Sequence, residues 1–485
     1  MKHLLSFFLV LASFAYGEDP QESDYYQITH FAIPEGHSVE TGGIALMEDG
    51  KIAVCTRRGQ IWTVANAFTH PETPATWEVY AEYLHEPLGL AVKDGWLYAV
   101  QRPEVTRMKD LDGDGRADLF ETVSDDWGIN GNYHEYTFGS RFDPEGNIWC
   151  TLCLTGSFRA ESLYRGWVLR VNEDGTMLPT ACGVRSPGGI GFNAEGDVFY
   201  TDNQGAWNGS SSLKWVKPGS FQGNPNGNIY FAFADGAIGD RPPEPPYEKE
   251  SRSVIERENI PTYIPPAIML PHGKVGNSPT GIEPDLSGGK FGPFAGQTFV
   301  GEQTHSKIHR VYLEKVNGIY QGAIFPFLSG FESGNIGLLL TKSGVMFTGG
   351  SNRGWGARGG KTNSFERVNW TGKVPFEIHE MRARPDGFEL TFTQPINPDT
   401  AVEASFQAEA YTYEYKKGYG SPEVDKLTPT VTVHSIADDH LSLVIKMDPM
   451  TKGHVHELHS EGLRSAEDLP LLHPQAYYTL NEIPE

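Results

Sequence analysis

One pattern of apolar and polar positions recurs along the first three quarters of the chain. Each copy opens on an apolar run with Gly near its start, turns at an acidic or polar residue followed by Gly, and continues into a second apolar run. Such a turn between two alternating runs is typical of a β-hairpin. The copies begin at Gly42, Leu88, Phe138, Gly188, Thr280 and Asn335.

Six copies at a spacing of roughly 45–55 residues predict the blades of a six-bladed β-propeller over residues 18–368. Short third strands after several copies agree with this interpretation. One interval is longer than the others, and its excess, about 224–276, is rich in Pro. A long insertion in a compact domain is usually functional or disordered, so we expect it to form a lid beside the central channel.

The pattern changes after residue 368. Segments near Phe376, Gly387, Thr428 and Leu441 alternate with a period of two and lack the glycine opening of the repeat. This alternation predicts a separate antiparallel, Ig-like β-sandwich over residues 372–485. The chain as a whole is therefore predicted to be all-β.

The N-terminus has the pattern of an export signal. A basic start at Lys2 precedes an apolar run from Leu4 to Phe14 and a small-residue cleavage site ending at Gly17. We predict a signal peptide over residues 1–17 and a secreted or periplasmic protein. No later apolar run approaches the roughly 20 residues of a transmembrane helix.

Composition narrows the possible partners. The formal charge of −23 argues against non-specific binding of nucleic acid or of anionic lipid, because both require an excess of Lys and Arg. Because an exported protein folds in an oxidising compartment, one or two disulfides are possible among the four cysteines, which are Cys55, Cys150, Cys153 and Cys182. Cys150 and Cys153 are three apart on a predicted strand and face opposite ways, so a bond between them is not expected.

The sharpest local motif lies between two predicted strands of the second blade. Acidic residues alternate in it and a Gly follows the third of them, at the spacing of a calcium-binding loop. The predicted ligands are Asp110, Asp112, Asp114 and Asp118, with the carbonyl of Arg116. We expect Ca²⁺ here in a structural role, and a solvated acidic turn is the alternative.

Charged residues next to the innermost strands mark the candidate site, because these strands lead to the mouth of a propeller channel. His134 and Arg185 directly precede the first strands of neighbouring blades, so we expect them on one rim of the channel. The full set of candidates is Arg57, Arg58, Arg102, Tyr133, His134, Arg185, Asp202, Asn203, Gln204, Gln303, His305, Arg353 and Trp355.

These segments also carry a resemblance. Segment 132–146, with His134, resembles the catalytic-histidine segment of the PQQ-dependent glucose and sorbosone (aldose sugar) dehydrogenases, where PQQ is pyrroloquinoline quinone. Segment 184–190, with Arg185, is similar to their cofactor-binding segment, and 200–205 is similar to the stretch that follows it. The whole chain resembles secreted bacterial proteins labelled sorbosone-dehydrogenase-like or "membrane-bound dehydrogenase".

The resemblance implies an oxidoreductase that acts on a carbohydrate or another small-molecule substrate. His134 would be the base that removes a hydroxyl proton. Arg185 would hold a carboxylate or quinone oxygen of PQQ, and the same resemblance implies a separate electron acceptor such as a cytochrome c. Further cofactor contacts would come from Arg57, Asp202, Asn203, Lys307 and Arg353.

The sequence departs from the family pattern at three places. Tyr133 stands where those enzymes have an acid, Ser186 replaces Asn, and a Gly-Asp pair is missing after Cys153. Two other functions therefore stay open. One is a carbohydrate-acting hydrolase or lyase with His134 as base, Tyr133 as acid and an Arg as charge stabiliser. The other is a non-catalytic propeller that binds glycan or protein. The fold alone does not decide among them.

Overall fold

The computed structural model describes residues 19–234, 236–247, 250–353 and 356–485. The predicted signal peptide lies outside these residues. No helix in the described part of the chain is long and apolar enough to cross a membrane. The helices are short: α1 (Glu22–Tyr25), α2 (Ser253–Asn259) and the 3-10 helices Pro225–Phe233, Pro398–Thr400 and Glu403–Ser405.

Six four-stranded antiparallel units form the blades, the number that the repeat predicts. Blades one to three consist of β2–β5 (Thr41–Leu46, Ile52–Thr56, Ile61–Ala65, Thr76–Ala81), β6–β9 (Gly89–Lys93, Trp96–Val100, Val105–Lys109, Leu119–Ser124) and β10–β13 (Thr137–Phe142, Ile148–Leu152, Trp167–Val171, Met177–Cys182). Blades four to six consist of β14–β17 (Pro187–Phe192, Val198–Asp202, Ser211–Trp215, Ile268–Leu270), β18–β21 (Pro279–Pro284, Thr298–Glu302, Lys307–Val316, Ile319–Leu328) and β22–β24 (Asn335–Leu340, Val345–Ser351, Asn363–Trp370) with β1 (Tyr26–His30).

The blades form a closed ring. The first strand of each blade contacts the first strands of the next and the preceding blade, and β22 of blade six contacts β2 of blade one. The strand β1 pairs antiparallel with β24, with Tyr26 opposite Trp370. The N-terminal strand thus becomes the outermost strand of the last blade, which ties the two ends of the propeller together.

Close packing around the axis explains the glycine of the repeat. A Cβ atom on Gly89 would come within 2.6 Å of the carbonyl oxygen of Gly139, and one on Gly189 within 2.5 Å of that of Thr280. Both distances are shorter than any real Cβ contact, so these positions accept no side chain. The inner strands approach one another this closely because Gly is present.

The C-terminal segment folds into two sheets with one apolar core. Strands β25 (Ile378–Arg384), β26 (Gly387–Phe392), β30 (Ser442–Asp448) and β29 (Thr430–Ile436) form one sheet in that order. Strands β32 (Gln475–Leu480), β31 (His454–His459), β27 (Gln407–Thr412) and β28 (Val424–Leu427) form the other. Phe388 and Ile445 of the first sheet and Leu458 and Tyr478 of the second are buried in the shared core.

The separate Ig-like sandwich over residues 372–485 stays a prediction, and the C-terminal segment shares a sheet with the propeller. Strand β32 pairs antiparallel with β21, with Gly322 opposite Thr479, so blade five and the second C-terminal sheet form one eight-stranded sheet. Alternation within a strand does not reveal its partner, which is why this continuity leaves no sign in the sequence.

The insertion at 224–276 is built into blade four. Its strand β17 is the outermost strand of that blade. Tyr263 of the insertion stacks on Tyr415 of the C-terminal segment, with ring centroids 5.3 Å apart. His272, near the end of the insertion, reaches the central cavity. The described insertion therefore packs between blade four and the C-terminal segment, and its predicted role as a lid stays a prediction.

The four cysteines are free thiols and all are buried. The described residues therefore contain none of the disulfides that an exported protein could form. Burial raises the pKa of Cys55 to about 12 and raises those of Cys150, Cys153 and Cys182 as well, so these thiols stay protonated and pack as apolar groups.

Candidate active site

A cavity of about 590 Å³ lies at one end of the ring, where the loops preceding the first strands and following the second strands converge. Every blade contributes to it, as the ring arrangement requires. Its lining includes Arg57, Leu88, His134, Tyr136, Arg185, Asn203, Thr280, Gln303, Ile336 and Arg353. A volume of this size is in the range that takes a cofactor or a ligand of several rings.

His134 is held by its backbone. It lies in the connection between blades two and three, and its amide donates to Oδ1 of Asn132 at 3.0 Å. Arg102 donates to the carbonyls of Asn132 and Glu135, and the fully buried Arg165 donates to the carbonyl of Glu135 at 2.9 Å. Two buried guanidinium groups therefore fix the segment that presents His134 to the cavity.

The surroundings of His134 favour its neutral form. Burial, and then the positive charges of Arg185 and Arg57, lower the pKa of His134 below its ordinary value. The rings of Tyr133 and Tyr136 lie beside the imidazole, with centroid distances of 4.0 and 6.0 Å. A neutral imidazole is able to accept a proton, as a general base must.

A cluster of arginines surrounds one buried carboxylate, Glu86, at the cavity. Glu86 Oε1 accepts from Arg57 Nε at 3.0 Å and from Arg353 Nη2 at 2.9 Å, and Arg102 Nη1 lies 3.8 Å from Oε2. Arg353 Nη1 also lies 3.4 Å from Oε2 of Glu40, which is buried. The cluster holds more cations than anions, so it contributes positive potential to the cavity.

Arg185 differs from these arginines in its partners. It is 4% exposed, its Nη1 donates to the carbonyl of Gln204 at 2.6 Å, and its guanidinium lies over the rings of Phe158 and Tyr419. No carboxylate of the described residues forms an ion pair with it, and its Nε has no hydrogen-bond partner among them. A buried cation without a counter-ion is suited to binding an anionic or strongly polar ligand.

The structure brings half of the predicted site residues to one cavity. The residues that line it are Arg57, His134, Arg185, Asn203, Gln204, Gln303 and Arg353.

The other described candidates are not among the lining residues: Arg58, Arg102, Tyr133, Asp202, His305 and Lys307. Asp202 is fully buried, accepts from Lys214 Nζ at 3.0 Å and from the amide of Ser186 at 2.8 Å, and so supports the segment that carries Arg185. Trp355, another candidate, lies outside the described residues.

Several residues of the site were not predicted from the sequence. Glu86, Tyr136 and Arg165 carry no motif of their own, although each lies within three residues of a candidate or of a conspicuous strand. Phe158 lies in a loop of blade three, whereas Tyr419 is more than 250 residues from both His134 and Phe158. The docking of its loop on blade four brings Tyr419 to the cavity.

The predicted calcium loop connects β8 and β9 at the outer edge of blade two. Carboxylate oxygens of Asp110, Asp112 and Asp118 lie within 4.8 Å of one another, which is close enough to share one ion. Asp114 is not part of this group. The carboxylate of Asp110 accepts from the amides of Gly115 at 2.9 Å and Gly113 at 2.7 Å, and these bonds lower its pKa.

Comparison with solved structures shows that part of this chain has the same fold as several known proteins. A putative oxidoreductase (glucose dehydrogenase) from Thermus thermophilus superposes with a TM-score of 0.51 and 18% identity, over 71% of this chain and 99% of that one. A Trichoderma reesei protein of Carbohydrate-Active Enzymes Family AA12 gives a TM-score of 0.51 at 11% identity, over 72% and 96%. A further structure described as glucose dehydrogenase gives 0.50 at 14%, over 70% and 98%.

These likenesses concern the propeller fold. The chain is longer than the part it shares with these structures, of which it covers nearly the whole length. No model of a protein family matches the chain, and no curated protein matches it either.

Proposed function

We propose that this protein is a quinone-dependent sugar or alcohol oxidoreductase that acts in the cavity at the end of the propeller ring, with His134 as its base. The observation that carries the proposal is the placement of His134 and Arg185 in one cavity, where Arg185 has no carboxylate partner among the described residues. The resemblance of their segments to the PQQ-dependent sugar dehydrogenases, and the propeller fold shared with glucose dehydrogenases, support the same chemistry.

The residues of the cavity fit PQQ, which carries three carboxylates and an orthoquinone. Arg185 offers one of these groups a guanidinium that no carboxylate of the described residues neutralises. Arg57 and Arg353 share Glu86, so each keeps donor capacity for a further acceptor, since a guanidinium has five N–H groups. Asn203 also lines the cavity, and the NH₂ group of its amide is a further donor for such oxygens.

The reaction divides between the cofactor and the chain. PQQ, when bound, supplies the acceptor for the hydride that leaves the carbon bearing the hydroxyl group. His134 takes the hydroxyl proton, for which its lowered pKa keeps it in the neutral form near pH 7. The arginines would hold the anionic groups of the cofactor in the cavity. A separate acceptor such as a cytochrome c would take up the two electrons of the oxidation.

We also propose that the loop at Asp110–Asp118 binds Ca²⁺ and that the protein is exported. The carboxylate oxygens that converge there support the first proposal, and the charge and length of the N-terminal apolar segment support the second. Because the calcium loop lies on the outer edge of blade two, its role in this proposal is structural.

The proposal is tested by reconstitution. Purified apoprotein is incubated with PQQ and Ca²⁺ and screened against a panel of sugars and alcohols with a dye as electron acceptor. We expect dye reduction that depends on both PQQ and substrate and that falls at least ~100-fold in His134→Ala, in keeping with loss of a general base. Absence of PQQ-dependent reduction with every compound would contradict the proposal.

Exposed aromatic rings at the mouth of the cavity favour a second function, glycan binding without oxidation. Phe158 and Tyr419 line the cavity, Tyr133 lies beside the ring of His134, and all three rings are exposed. Binding of sugars in the same screen, without any reduction of the dye, would support this function in place of the first.

A further inference from the structure

Two exposed aromatic side chains flank Arg185 at the cavity. Phe158 is 51% exposed and Tyr419 is 61% exposed, and both line the cavity. Their ring centroids lie 6.4 Å apart at an angle of 47°, and the guanidinium carbon of Arg185 lies 5.6 and 5.1 Å from the two centroids. We call this pair of rings the aromatic wall.

Tyr419 comes from outside the propeller. It lies in the connection between β27 and β28 of the C-terminal segment, whereas Phe158 lies between β11 and β12 of blade three. The wall therefore joins two parts of the chain that are more than 250 residues apart in sequence. The glucose dehydrogenase from Thermus thermophilus aligns with 71% of this chain, so a substantial part of the chain is extra to the shared fold.

The loop that carries Tyr419 is fixed to blade four by its backbone. Trp207 N donates to the carbonyl of Lys416 at 2.8 Å, Gly420 N to that of Gly205 at 3.1 Å, and Ser421 N to that of Gly209 at 2.9 Å. These bonds fix the backbone that carries Tyr419, and the ring itself packs against Phe158 and the guanidinium of Arg185. A recognition surface on a preorganised loop loses less entropy on binding than one on a mobile loop.

The wall combines apolar faces with polar groups beside them. Sugar rings present apolar C–H faces and hydroxyl edges, and aromatic rings next to hydrogen-bonding groups match both. Gln204 and Asn203 line the cavity next to Arg185, whose Nη1 contacts their carbonyls. Exposed apolar surface at a cavity mouth commonly marks a ligand site.

We propose that the aromatic wall is a subsite for a second sugar ring, so that the preferred ligand is an oligosaccharide and Tyr419 determines this preference. The inference rests on the carbohydrate ligand of the proposed function. One sugar ring lies at His134. The next sugar ring of the oligosaccharide lies toward solvent and stacks on Tyr419 and Phe158. The C-terminal segment is then part of the binding site.

The test compares matched ligands by isothermal titration calorimetry on the full-length protein, both with and without PQQ and Ca²⁺. The probes are glucose, mannose and N-acetylglucosamine, each with its β-1,4-linked dimer and trimer. The variants are Tyr419→Ala, Tyr419→Phe and Phe158→Ala. Tyr83→Ala is the control, because Tyr83 is an exposed tyrosine that does not line the cavity.

We expect the wild type to bind at least one oligomer about tenfold more tightly than its monomer, and Tyr419→Ala and Phe158→Ala to remove that difference. Monomer affinity should fall by less than oligomer affinity in both. Tyr419→Phe and Tyr83→Ala should keep the preference, since the first retains the stacking face. A melting curve for each variant identifies any loss of fold, and Phe158→Ala provides the test if Tyr419→Ala fails to fold.

Two results would overturn the inference. One is equal affinity of wild type for monomers and oligomers, and the other is a loss in Tyr419→Ala that affects PQQ or monomers as much as oligomers. The dye assay separates this inference from the proposed function. Tighter binding of oligomers without dye reduction supports the subsite and contradicts the oxidoreductase function. Dye reduction with monomers as substrates, without tighter binding of oligomers, supports the oxidoreductase function and contradicts the subsite.

Discussion

The neighbours of Arg185 and His134 determine the charge and the hydrogen-bonding partners of both side chains. Each has an ordinary side chain in an ordinary loop, and the sequence places each directly before the first strand of a blade. Their proximity changes both: the charge of Arg185 helps to lower the pKa of His134, and the fold leaves Arg185 without a carboxylate among the described residues.

The pH dependence of turnover follows from this pair. The lowered pKa of His134 places the acidic limb of kcat/KM below the ordinary value of about 6.5. Removing a positive charge favours the imidazolium form, so Arg185→Gln should move that limb to higher pH. The measurement is the pH profile of dye reduction in the reconstituted enzyme. A limb above about pH 7 in the wild type, or one that does not move upward in Arg185→Gln, would contradict the assignment of His134 as the base.

Gly205 provides a second test that changes a single residue. A Cβ atom there would lie 2.1 Å from Cζ of Arg185, so Gly205→Ala must displace the guanidinium. We expect PQQ affinity to fall at least ~tenfold, as for the loss of a charge-assisted hydrogen bond. Gly418→Ala is the control, since its Cβ would meet only the flexible side chain of Lys416, at 3.4 Å. Equal PQQ affinity in the two variants would show that the placement of Arg185 does not matter.

The elements of the propeller were largely predictable from sequence, for a physical reason. The hairpin turns leave a local signal, and the Gly at the inner strands is imposed by contacts as close as those of Gly89 with Gly139. The strands β1 and β17 were not predicted as parts of blades. The first pairs with a strand more than 300 residues away and the second has three residues, so neither has a local pattern that defines its partner.

The predicted calcium loop between β8 and β9 leads to a prediction about thermal stability. Asp110, Asp112 and Asp118 hold their carboxylates close together on an exposed hairpin, so binding of Ca²⁺ should stabilise the folded state in proportion to the logarithm of its concentration. We expect millimolar Ca²⁺ to raise Tm by a few degrees over the chelated protein, and Asp112→Asn to remove that rise. Asp125→Asn, an exposed Asp just beyond β9, should keep it.

Differential scanning fluorimetry with and without chelator makes this measurement, and elemental analysis counts the bound metal. Identical curves in calcium and in chelator, together with no metal in the purified protein, would show that the loop is a solvated turn.

The whole molecule is more tightly joined than its sequence suggests. The sheet of blade five continues into the C-terminal segment, and Tyr419 of that segment lines the cavity. Residues such as His134 were predictable because they lie beside a repeated strand. Tyr419 was not, because its position depends on a strand pairing and a loop docking that leave no mark near residue 419.

A buried histidine links the two ends of the chain. His473 lies 2.6 Å from Glu377 and 3.0 Å from Glu22 of α1. Burial alone would lower its pKa, but the two carboxylates outweigh burial and raise the pKa to about 9. The stabilisation is therefore complete below the unfolded pKa of about 6.5 and is lost as the pH rises from there through about 9.

We expect the free energy of unfolding to decrease between about pH 6.5 and 9, and His473→Gln to lower it by about 3 kcal/mol at about pH 6 and to flatten that decrease. Urea unfolding at a series of pH values measures both effects. His434→Gln, at an exposed position on β29, is the control. A slope that survives in His473→Gln would assign the pH dependence to other groups.

The proposed function depends above all on whether the cavity shared by His134 and Arg185 binds a quinone, and calorimetric titration of PQQ into full-length protein in the presence of Ca²⁺ measures this binding itself. We expect one PQQ per chain for the wild type, affinity at least ~tenfold weaker in Arg185→Ala, and nearly unchanged affinity in His134→Ala despite its loss of dye reduction. A wild type that binds no PQQ, or an Arg185→Ala variant that binds it as tightly as the wild type, would show that the cavity is not a quinone site of this kind.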